Sequence, residues 1–68
     1  MTIGERIRQI RKKEKLTQKQ FGEWIDCSEI CVKKWEHNER EPASKALKNI
    51  CITFNVDANY LLGIEGDK

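Results

Sequence analysis

Proline occurs once in these 68 residues, at Pro42, and glycine only four times. Helices can therefore run with few interruptions, and charged residues, most of them good helix formers, supply 35% of the chain. Both features favour an all-α domain. The few glycines build no phosphate-cradling loop. Paired acid–base residues and a nucleophile triad are also missing, which argues against an enzyme. No apolar run approaches the roughly 20 residues of a membrane span, and no long apolar segment opens the chain as a secretory signal. Cysteine is sparse and odd in number: Cys27, Cys31 and Cys51. That pattern argues for reduced thiols in a cytoplasmic protein rather than a disulfide scaffold. The net charge of +2 is too small to announce a nucleic-acid partner by itself.

The length allows a single domain, residues 1–68, with a core from about 2 to 63 and a frayed tail after Ile64. The Met start, and an acidic tail following a complete domain, lead us to expect a whole protein. A chain this short buries only about 60% of the surface its unfolded form exposes, so a core shared across a dimer would help. The charge is unevenly spread. Arg6, Arg8, Arg11, Lys12, Lys13, Lys15 and Lys19 crowd the first third, whereas Glu65 and Asp67 lie near the end. A basic end suits a phosphate-facing surface and equally a solvated helix face.

Five helices are predicted. Thr2 and Glu5 fit a capping box at the start of a helix reaching about Glu14, with Ile3, Ile7 and Ile10 as its apolar stripe. Thr17 and Gln20 make a second box, ahead of an inward pair, Phe21 and Ile25. Asp26-Cys27-Ser28 reads as a tight turn, with Ser28 capping a third helix that carries Val32 and Trp35 inward and runs to His37. Asn38 is its expected left-handed stop. A fourth helix spans about Ala43 to Phe54, with Leu47, Ile50, Cys51 and Phe54 at inward spacing and Asn55 as its cap. Asp57 caps a short last helix with Tyr60, Leu61 and Leu62, ended by Gly63.

Two short helices joined by about three residues form a helix-turn-helix, whose second member can lie in a major groove. The run TQKQFGEWIDCSEICVKKWEHNEREP resembles the core of the lambda-repressor/Cro-type helix-turn-helix family. The upstream IGERIRQIRKKEKL and downstream LKNICITFNVDANYLLG resemble its flanking helices, so the likeness runs from about Ile3 to Gly63. The resemblance implies a compact five-helix lambda-repressor-like fold and binding of double-stranded operator DNA, usually as a homodimer. It further implies that Gln18 braces the recognition helix and contacts the DNA backbone. Glu29, Ile30, Lys33 and Lys34 match base-reading positions, Ser28 a place near a phosphate, and Arg40 a phosphate-contacting loop. Their chemistry suits this: Lys donates to guanine, Glu accepts from cytosine N4, and Ile packs on a thymine methyl. Arg11 and Glu36 match a partly buried ion pair tying the first helix to the third.

Plainer accounts stand beside these roles. Lys33 and Lys34 also read as solvated charges, Glu29 as a carboxylate favouring its helix N-terminus, Ile30 as partly covered core, and Gln18 as a polar first-turn residue. The family often places Gly where this chain has Lys15, Asp26, Asn38 and Asn55. Asn and Asp take left-handed backbone at modest cost. Lys15 is poorer at it, so a different first turn is expected. The cysteines with His37 make a weak zinc set, since no Cys-x-x-Cys pair exists. Cys27 and Cys51 read better as buried small hydrophobes, and a redox role for Cys31 has no support.

Trp24 and Ile52 fall off their helices' apolar stripes. Ile52, Val56 and Ala58 are expected as a dimer patch. The reading is a repressor of a bacterial or phage promoter that acts by occupancy, with no cofactor and no evident small-molecule ligand. The alternative is a protein-interaction module, antitoxin-like or a phage accessory protein, with Trp24 and Ile52 in its interface.

Overall fold

A computed structural model describes residues 1–63. The expected fraying beyond Ile64 lies outside the described residues. All regular structure among them is helical: α1 Ile3–Lys13, α2 Gln18–Trp24, α3 Glu29–Glu36, α4 Ser44–Phe54 and α5 Ala58–Leu62.

The helix starts follow the polar caps. Thr2 Oγ1 accepts from the Glu5 N–H at 3.1 Å, and the Glu5 carboxylate accepts from the Thr2 N–H at 2.7 Å. Thr17 and Gln20 repeat the same exchange at 3.1 and 2.9 Å. Ser28 Oγ accepts from the Cys31 N–H at 3.1 Å, and Asp57 accepts from the Asn59 N–H at 3.0 Å. Each of these bonds satisfies an amide that the helix itself leaves open. Helix α4 starts differently: its cap position is Ala43, which has no side chain to offer.

The ends of α1 to α4 share one device. Lys15, Asp26, Asn38 and Asn55 all have left-handed backbone, with φ of 60°, 63°, 61° and 54°. After each, the next amide turns back to a carbonyl of the last helical turn. Leu16 donates to Arg11, Cys27 to Gly22, Glu39 to Lys34 and Val56 to Cys51, at 3.1, 2.7, 2.9 and 2.9 Å. This closure satisfies carbonyls that would otherwise be orphaned and reverses the chain. The expectation of a different first turn is thereby corrected. Lys15 takes the same left-handed form as the other three, held by its own N–H to Lys12 and by that of Leu16 to Arg11.

The helices share one core of Ile7, Ile10, Phe21, Ile25, Val32, Trp35, Ala46, Ile50 and Leu61. The inward residues expected from α1, α2 and α3 are in it, apart from Ile3 at its edge. On α4 the stripe is rotated: Ala46 and Ile50 are buried, whereas Leu47, Cys51 and Phe54 are only partly covered. Cys27 and Cys51 also differ from expectation, being half-buried at the core's margin. Two glycines set close approaches. A β-carbon on Gly4 would overlap the Trp35 carbonyl oxygen, and one on Gly22 would sit 2.5 Å from the Cys27 carbonyl oxygen. Both contacts bring the α3 region against its neighbours, α1 through Gly4 and α2 through Gly22.

Candidate nucleic-acid interface

Helix α3 is gripped along one side. Val32 and Trp35 are buried in the core, and Glu36 is buried beside them. Arg11 of α1 reaches the Glu36 carboxylate with two nitrogens, Nε to Oε2 at 2.6 Å and Nη2 to Oε1 at 3.0 Å. The third nitrogen, Nη1, donates to the Leu16 carbonyl at 3.0 Å, so one guanidinium fixes the α1 turn and α3 together. The carboxylate has only 2% of its side chain exposed, against 13% for Arg11. Gln18 at the start of α2 adds a donor, Nε2 to Glu36 Oε1 at 3.2 Å. A short, two-pronged charge-assisted pair with a third donor is stronger than a lone surface ion pair.

The opposite side of α3 is open. Ser28, Glu29 and Lys33 are exposed, and Ile30 keeps 65% of its surface in solvent. That exposure removes the partly covered core reading of Ile30. Lys34 departs from the set: it is half-buried. Arg40 is exposed in the connection after α3. The exposed side of α3 therefore brings together Glu29, Ile30 and Lys33, an acceptor, an apolar tip and a donor. With its side chains an α-helix is about 10–12 Å across, which a major groove about 12 Å wide admits.

Basic residues also gather ahead of and at the start of the motif. Lys15 in the left-handed turn and Lys19 on α2 are exposed. Lys12 and Lys13 are exposed in the last turn of α1, where cations complement the helix dipole, whereas Arg11 beside them is committed to Glu36.

Sequence reasoning missed the two glycine contacts. Helical spacing shows which face a residue occupies, but not which distant carbonyl comes up against it. The role of Trp24 was also out of reach. It is 58% exposed, yet its indole stacks on Phe54, with ring centroids 5.8 Å apart, and Phe54 stacks on buried Phe21 at 4.9 Å. The residues of the expected dimer patch divide: Ile52 and Ala58 are exposed, Val56 is half-buried. Among the described residues no group of three or more His, Cys, Asp or Glu is placed to hold a metal ion. No helix among them is long and apolar enough to cross a membrane.

A short helix gripped from behind by a preceding helix across a tight turn is the architecture of the helix-turn-helix domain family. The model of that family matches residues 4–66, and the chain belongs to it. Repressor protein C2 of Salmonella phage P22 is 35% identical over 60 residues, covering 88% of this chain and 28% of that protein. The HTH-type transcriptional regulator DicA of Escherichia coli (strain K12) is 34% identical over 68 residues, all of this chain and 50% of that protein. The chain thus spans only 28% and 50% of the length of these two curated relatives. The fold also matches a crystal structure of the P22 c2 repressor in complex with synthetic operator 9T in the presence of Tl+. There the TM-score is 0.88 and the identity 32%, over 96% of this chain and 98% of that one.

Proposed function

We propose that this chain is the sequence-specific DNA-binding unit of a transcriptional repressor, working in the cytoplasm as a homodimer on a two-fold operator. The observation that carries this reading is the two-sided character of α3. Its inner side is fixed to α1 and α2 through Glu36, and its outer side offers Glu29, Ile30 and Lys33 to solvent. A helix held this rigidly can present side chains to base edges in a defined register.

In this reading Lys33 donates to guanine, Glu29 accepts from cytosine, and Ile30 packs on a thymine methyl. Ser28, Gln18 and Arg40 hold phosphates, which fix orientation without reading sequence. Half-buried Lys34 is the further donor to base edges in this reading. The relatives named as a repressor and a transcriptional regulator support the assignment. Chemistry on a bound substrate is no part of it. Repression follows from occupancy: a protein seated over a promoter excludes the polymerase.

The test is the double variant Lys33→Ala/Lys34→Ala, compared with the parent chain by titration against its operator at fixed salt. Loss of affinity with unchanged helical content supports the groove reading. Retained affinity shifts weight to an interaction module, in which exposed Trp24 and Ile52 meet a protein instead.

A further inference from the structure

Cys27 and Cys31 bracket the start of the recognition helix. Cys27 is the last residue of the turn, and Cys31 lies in the first turn of α3, its N–H bonded to the Ser28 hydroxyl. Both cysteines are half-buried and line one cavity of about 290 Å³, with Trp35 in its wall; the Cys27 thiol donates to the Ile25 carbonyl at 3.7 Å. The third cysteine, Cys51, lines a different recess on α4 and α5. We propose that Cys27 and Cys31 together form a two-thiolate site for a soft, low-coordinate metal ion, with Cu(I) as the biological representative.

The donor set decides the class of ion. Among the described residues no three or more His, Cys, Asp or Glu are placed to share a metal ion, so the two sulfurs do not belong to the tetrahedral shell of structural zinc. Thiolates select Cu(I) among the first-row metals by softness. Binding forms two Cu–S bonds, releases both thiol protons to solvent and leaves the oxidation state unchanged. The resulting complex carries one negative charge. Lys45 and Arg40 line the same cavity and offset it, while Asp26 and Glu41 work against it.

This site does not depend on the DNA reading, and its test needs no operator. Reduced protein is titrated anaerobically with Cu(I) in competition with a colorimetric Cu(I) chelator. The parent chain and Cys51→Ala should each take up one equivalent. Cys27→Ala and Cys31→Ala, tested separately, should each lose affinity by more than about 10-fold, since loss of even an outer-shell partner costs a metal site that much. X-ray absorption on the loaded parent chain supplies a reading that requires no variant, with two sulfur neighbours per copper expected. Full uptake by either single variant would overturn the proposal. So would an equal loss in Cys51→Ala, or a copper shell of nitrogen and oxygen.

Discussion

Arg11 and Glu36 meet through two parallel contacts at 2.6 and 3.0 Å, with the carboxylate almost wholly withdrawn from water. Every remaining polar commitment of that pair also serves the helix-turn-helix. The spare Arg11 nitrogen holds the Leu16 carbonyl just before α2, and Glu36 takes a further bond from Gln18 on α2. The pair is thus the joint at which α1, α2 and α3 are set relative to one another.

Removal of one partner should be expensive. Arg11→Met keeps the apolar stem but leaves Glu36 buried with only the Gln18 amide. A stability loss of about 3–5 kcal/mol is expected for an uncompensated buried charge. Replacing Arg11 and Glu36 together by apolar residues of similar volume should recover much of that loss. Urea unfolding of the two variants checks this. Equal losses in the single and double variants would mean that packing, not charge, sets the effect.

Lys15 is the one left-handed residue of the four helix stops that is neither Asn nor Asp. Left-handed backbone costs an ordinary L-residue roughly 1–2 kcal/mol, and glycine escapes this but loses more freedom on folding. Lys15→Gly should therefore stabilise the fold by about 0.5–1 kcal/mol. The same substitution at Asn38 should gain less. Thermal melts of the two variants compare them directly, and a destabilised Lys15→Gly would show that the first turn is held by something other than its backbone bonds.

Ile52 is 68% exposed on α4 and lines one recess with exposed Ala58, whereas half-buried Val56 lines another with Phe54 and Tyr60. If this patch meets a second copy, Ile52→Glu should weaken self-association by sedimentation while leaving the melting temperature of the monomer nearly unchanged. Removing an exposed side chain from a free surface typically alters stability by less than about 0.5 kcal/mol. Unchanged self-association removes the patch from the interface.

Much of this organisation is legible residue by residue. Thr2 with Glu5, and Thr17 with Gln20, announce two helix starts through short-range bonds that any such spacing can make. Asn38 and Asn55 announce two stops because their side chains tolerate left-handed backbone. What stayed hidden depends on partners far apart in the chain. The close approach of Gly4 to the Trp35 carbonyl is a matter of how two helices cross. The stack of Trp24 on Phe54 joins α2 to α4, and the period of either helix alone is silent about it. The rotated stripe of α4 belongs to the same class: Ala46 is buried and Leu47 only partly covered, although Leu47 looks like the better core residue. Within the site, Ile30 was ambiguous because an isoleucine serves a groove or a core equally well, and only its exposure separates the two.

Whether the outer side of α3 reads a defined sequence is tested by selecting bound duplexes from a random pool and titrating the enriched sequences with salt. A two-fold site with half-sites about 34–36 Å apart is expected, bound more tightly than random DNA at physiological salt. Weak binding that falls steeply with salt and enriches no sequence would contradict it, leaving phosphate attraction as the whole of the interaction.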